Sequence, residues 1–143
     1  MTTLLLPAIA ASIVCNLFLA ITYLYLYQQD REEYMRIWAA SWAVYTLRSG
    51  FQLWEGQASQ VNFPAFAEQL TAWLSGLLLL WGTYIYMDRR LPALWRLTAA
   101  LGVAWLVGAA FTPLTFFAYA LPMFLLLGSL YIWIGLLLLR SDQ

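Results

Sequence analysis

The stretch Tyr23-Leu-Tyr-Leu-Tyr27, Gln28-Gln-Asp-Arg-Glu-Glu33, Tyr34-Met-Arg-Ile-Trp-Ala-Ala-Ser-Trp-Ala-Val-Tyr-Thr-Leu-Arg-Ser-Gly-Phe-Gln-Leu-Trp54 decides how the chain is read. An aromatic cluster closes one apolar run, a short charged turn follows, and a second apolar run begins. The second run reads as a membrane helix, yet it contains Arg48. Ser41, Tyr45, Arg48, Gln52 and Glu55 recur at spacings of 4, 3, 4 and 3, which places all five on one helical face. A lipid-facing helix has no use for such a face, so it is expected to point into protein or a water-filled cavity.

Composition supports a membrane setting. Of 143 residues, 64% are hydrophobic and 10% charged, against about 25% charged in a soluble domain. Eight Trp and nine Tyr suit membrane interfaces, where amphipathic rings sit at headgroup level. Net charge is zero and no basic run points to nucleic acid. The chain has no His, which removes the commonest haem and zinc ligand and the usual proton shuttle. All seven basic residues are Arg, so no lysine Schiff base can form. The single Cys15 allows no intramolecular disulfide, and its apolar neighbours lead us to expect an inert, packed thiol. No catalytic triad, paired-carboxylate site or metal-ligand spacing is visible. No enzymatic role, catalytic residue, metal or cofactor is therefore expected of this chain.

Five apolar segments are expected as helices, at about residues 4–27, 34–54, 64–87, 92–111 and 114–139, in one transmembrane domain over 1–143. Each approaches the roughly 20 residues needed to cross the hydrocarbon core. The first lacks a positive leader and is too long for a signal-peptide core, so it is expected to stay as a membrane helix. Asn16 near its middle is expected to hydrogen-bond a neighbouring helix, a contact worth about 0.6–2 kcal/mol. Pro64 followed by Glu68 suits the start of the third helix, with a carboxylate near the positive end of the dipole. Ala100, Ala104 and Gly108 form a small-residue row that lets two helix backbones approach. Pro122 inside the fifth segment is expected to kink it. No internal repeat is evident.

Arginine placement sets the expected orientation. Arg31 and Arg36 flank the first connection, Arg89, Arg90 and Arg96 the third, and Arg140 follows the last helix; the second and fourth connections carry none. Positive-inside then places the N-terminus outside and the C-terminus in the cytoplasm. The expected architecture is an all-α, polytopic bundle of five transmembrane helices.

Arg48 is the sharpest candidate for a function. It lies about 20 Å along its helix from the cytoplasmic start, and Gln52 and Glu68 are the partners expected in reach. Ser41, Tyr45, Arg48, Gln52 and Glu68 form the candidate ligand-binding set, a pocket for a small anion or polar signal. The competing reading is an interhelical Arg–Glu clamp that only fixes packing. Ser75, Gly76, Gly82 and Thr83 read as packing residues of the third helix. The aromatic row Tyr34, Trp38, Trp42 and Tyr45 reads as packing and interface anchoring, with an aromatic cage for a quaternary ammonium as the rarer alternative.

The segment from Tyr23-Leu-Tyr-Leu-Tyr27 through Asp30-Arg31-Glu32-Glu33-Tyr34, Trp38, Ser41-Trp42, Tyr45 and Leu47-Arg48 resembles the N-terminal multi-helix membrane region of bacterial sensory histidine kinases and diguanylate cyclases. The resemblance covers roughly residues 20–55. It implies a sensory input module of the cell inner membrane, multi-pass, in a two-component or related signalling system. Its partners would be the lipid bilayer and a cytoplasmic PAS, kinase or cyclase-type domain in the same chain, with a homodimer left open. Two other readings stay open: a small transporter built as a dimer, and a passive membrane anchor or assembly module.

Overall fold

The computed structural model describes residues 5–55, 63–112 and 116–141. They form five helices and no strand: α1 (Leu5–Asp30), α2 (Glu33–Glu55), α3 (Phe63–Tyr86), α4 (Ala93–Ala110) and α5 (Phe116–Ser141). Residues 56–62 and the side chain of Glu55 lie outside the described residues. Helix α1 runs on through the polar Gln28 to Asp30 because Arg31, at φ 59°, closes it in the left-handed conformation and donates its N–H to Tyr27 O at 2.9 Å.

Four helices are long and apolar enough to cross a membrane: Leu6–Asp30, Phe63–Tyr86, Ala93–Ala110 and Ala120–Leu139. The exception is α2, whose Glu33, Arg36, Arg48 and serines dilute its apolar character. It is compensated by position, because α2 is packed along both α1 and α3.

The contacts fix how neighbouring helices run. Tyr23 of α1 meets Trp38 of α2, and Ser12 meets Ser49. Tyr34 meets Tyr86, Trp38 meets Gly82, Ser41 meets Ser75, and Arg48 meets Glu68. In both series one partner number falls as the other rises, so α1/α2 and α2/α3 are antiparallel pairs. Helix α3 is the shared element: it also packs on α4 and α5, whereas α1 packs closely on α2 alone among the described residues.

The apolar core lies on the far side of α3 from α1. Trp73, Leu80 and Tyr84 of α3, Leu106 of α4, and Met123, Leu130 and Ile134 of α5 are buried there. Trp73 is fully buried because α4 offers Gly102: a Cβ there would stand 2.5 Å from the indole Nε1. Gly82 serves Trp38 in the same way, with its missing Cβ 2.5 Å from Trp38 Cδ1. Exposed Leu, Val, Phe and Trp side chains cover the outward faces of α1, α4 and α5, as lipid-facing helices require.

Several expectations are corrected. The row Ala100, Ala104 and Gly108 is exposed, with open space around Gly108, and α4 turns Gly102, Leu106 and Ala109 inward. The bulk of Trp73 opposite Gly102 determines which face of α4 docks. Asn16 is buried, but its amide donates to Ser12 on its own helix at 3.2 Å, and Ser12 makes the crossing to Ser49 at 3.5 Å. Cys15 is exposed rather than packed, because among the described residues α1 has one neighbouring helix to bury it. Glu68 lies beyond the first turn of α3 and pairs across the interface instead of serving the helix start. Pro122 lies inside α5, as the sequence places it.

The α3–α4 turn is tightly built. Asp88 adopts φ 52°, its N–H meets Ile85 O at 2.9 Å, and the Arg89 N–H meets Tyr84 O at 2.9 Å. This pair of bonds is a Schellman motif with Asp88 in the position usually held by glycine.

Candidate functional site

The polar face of α2 meets α3 at two levels. At one level, Arg48 Nη2 donates to Glu68 Oε1 at 3.1 Å and Gln52 Nε2 donates to the same oxygen at 2.7 Å. Arg48 Nη1 donates to Tyr45 Oη at 2.6 Å, and the guanidinium stands 5.2 Å from the centre of that ring. The Arg48 and Glu68 side chains are 19% and 11% exposed, so the ion pair is largely withdrawn from solvent. Arg48 Nε is buried with no hydrogen-bond partner.

A guanidinium withdrawn from water is costly unless paired, and Glu68 offsets that cost by pairing with Arg48. Glu68 also ties down Gln52, so one carboxylate oxygen holds two side chains from consecutive turns of α2. Gln52 therefore reaches Glu68 directly instead of bonding Arg48.

At the other level, two turns nearer the start of α2, Ser41 Oγ donates to Ser75 O at 2.8 Å and lies 3.1 Å from Ser75 Oγ. Ser41 is thus on the same face as Arg48 but belongs to a separate cluster. Of the five residues singled out from the sequence, Tyr45, Arg48, Gln52 and Glu68 form one connected network.

The two levels are joined by a cavity of about 240 Å³ lined by Ser41, Trp42, Tyr45, Ser75, Leu79 and Tyr131. It sits where α2 faces α5 without packing closely against it. Its walls are three aromatic rings, a leucine and two serines. Tyr45 both lines the cavity and accepts the Arg48 hydrogen bond, so cavity and ion pair share a wall. Since Glu68 already answers the Arg48 charge, an anionic ligand would have to displace a carboxylate. An uncharged molecule with an apolar body and one hydrogen-bonding group fits the lining better.

Sequence reasoning misses Tyr131, which reaches this cavity from α5. Its signal is a tyrosine hydroxyl set more than two turns from either end of an apolar helix, away from the interfaces where Tyr is usual. The aromatic row of α2 divides. Trp42 and Tyr45 face the cavity, whereas Tyr34 and Trp38 join Tyr23 and Tyr86 at the other end in ring contacts of 5.0–6.0 Å. There Trp38 Nε1 is buried without a hydrogen-bond partner. Among the described residues no three His, Cys, Asp or Glu side chains are grouped to hold a metal ion.

No family model matches the chain, and neither does any curated protein or solved structure compared with it.

Proposed function

We propose that the chain is a membrane-embedded sensory input module, with all five helices spanning the inner membrane and the N-terminus outside. The observation that carries this is the cavity between α2 and α5, which has Tyr131 on one side and the Arg48–Tyr45 pair on the other. A molecule filling it would touch α2, α3 and α5 together. Occupancy would favour one packing of these helices over another only if the two packings differ in their contacts with it. Helix α5 would carry that difference toward a cytoplasmic output domain, the arrangement implied by the resemblance of residues 20–55 to sensory kinases and cyclases. The fit of the lining to an uncharged amphipathic molecule points to a signal that partitions into the membrane.

The passive assembly reading is favoured by one fact, that the Arg48 charge is already paired with Glu68. The two are separated by substituting Ser41→Leu to fill the cavity and Arg48→Ala to break the ion pair in the full-length protein. Output is then measured against stimulus at matched membrane abundance. A sensor loses or locks its response in the cavity-filled variant; unchanged signalling by both variants would sink the reading. Stimulus-independent flux of a solute in liposomes would instead favour a transporter.

A further inference from the structure

A second cavity, of about 210 Å³, lies between α3 and α4, on the lipid-facing side of the molecule. Its lining includes Leu74, Leu78, Trp81, Leu91, Trp95 and Arg96. All but one of these side chains are apolar, and the charged one, Arg96, stands one turn into α4. Leu74 and Trp81 are exposed along its length, so the groove opens sideways. From Trp81 to Leu74 it follows α3 for seven residues, or roughly 10 Å.

Both walls belong to helices long and apolar enough to cross a membrane, joined by a turn of a few residues. That turn must therefore lie at a membrane surface, whichever side it faces. It carries Arg89 and Arg90, and Arg96 stands one turn into α4, within snorkelling reach of the headgroups. All three arginines are exposed, and among the described residues none of them forms an ion pair. Asp88 is the only acidic residue in this segment. The Schellman closure fixes the start of the arginine pair by holding the Arg89 N–H on Tyr84 O.

We infer that this groove is a binding site for an anionic phospholipid, with one acyl chain along Leu74, Leu78 and Trp81 and the phosphate against Arg96, Arg89 and Arg90. An apolar slot with Arg96 in its lining, and with the exposed Arg89 and Arg90 on the turn that joins its two walls, matches the two ends of such a lipid. A zwitterionic lipid has the same chain but carries its own cation, so the arginines select against it. The inference is independent of the sensory reading, since it uses neither the α2–α5 cavity nor any output domain.

The test is native mass spectrometry of the full-length protein, titrated with phosphatidylglycerol and phosphatidylcholine of identical acyl chains. Phosphatidylglycerol is expected to be retained preferentially. Arg96→Gln is expected to weaken that retention about fivefold, the effect of one basic residue at an anionic surface. Arg36→Gln, an exposed arginine at a different helix start, should leave it unchanged. Leu78→Trp, which narrows the groove and keeps every arginine, should also reduce it. Glycerol phosphate without acyl chains should not compete. Equal retention of the two lipids, an unchanged preference in Arg96→Gln, or effective competition by glycerol phosphate would each overturn the inference.

Discussion

Gly102 of α4 lies so close to the indole of Trp73 that a single added methyl group would stand 2.5 Å from Nε1 and 2.6 Å from Cε2. Trp73 is fully buried, and its Nε1 is held toward Ala99 O at 3.4 Å, so the ring has little freedom to retreat. Gly102→Ala is expected to separate α4 from α3 and to lower stability by about 1–3 kcal/mol, as overpacking of a close-packed interior does. Gly108→Ala, at a position with open space around it, should have no such effect. Thermal unfolding in detergent, followed by tryptophan fluorescence, compares the two.

Breaking the Arg48–Glu68 pair from one side should be worse than removing it altogether. Glu68→Met leaves a poorly solvated guanidinium unpaired and also frees Gln52. A loss of about 2–3 kcal/mol is expected, below the range for a fully buried pair because both side chains keep some exposure. The double variant Arg48→Met, Glu68→Met should recover most of that loss. Equilibrium unfolding of the single and double variants decides it: a double variant as unstable as Glu68→Met would show that the charge pair is not the source of the effect.

The Ser41–Ser75 contact should be a modest interhelical bond. Ser41 gives its proton to a backbone carbonyl already engaged in α3. Ser41→Ala is expected to cost about 0.6 kcal/mol, the average for interhelical bonds of this kind, whereas Ser75→Ala, which leaves the accepting carbonyl in place, should cost less. Equilibrium unfolding compares the two, and a loss above about 2 kcal/mol in Ser41→Ala would exceed the largest value expected for such a bond.

Asp88→Gly should stabilise the chain. Asp88 sits at φ 52°, where a side chain costs about 1 kcal/mol relative to glycine. The Schellman hydrogen bonds use only backbone atoms and survive the change. A rise in the unfolding midpoint is the expected outcome; a fall would mean that the Asp88 carboxylate makes a stabilising contact.

Much of the fold is legible in the sequence because its signals are local. Apolar runs and the turns between them place all five helices to within a few residues of their observed ends. The 4, 3, 4, 3 spacing on α2 places Tyr45, Arg48 and Gln52 together, and the scarcity of carboxylates leaves Glu68 as the natural counter-charge. What escapes is the register between helices distant in sequence. The Ala100, Ala104 and Gly108 pattern looks like a packing seam, yet one bulky partner, Trp73, selects Gly102 instead. Tyr131 shows no polar periodicity that would mark it as part of a site. Trp38 looks like a simple interface anchor, but it is half-buried among Tyr23, Tyr34 and Tyr86 with its Nε1 buried and unbonded, because α3 presents Gly82 beneath it.

The neighbour relations of α1 have a mechanical consequence. Among the described residues it packs on α2 alone, so it is the end link of a series and not one stave of a closed ring. A push on α1 can reach α5 only by first moving α2 and then either α3 or whatever occupies the space beside Tyr131. An empty space there behaves as a slack joint, and a filled one as a strut. Whether α1 and α5 are coupled stiffly or loosely is thus set at the gap between α2 and α5, some distance from both.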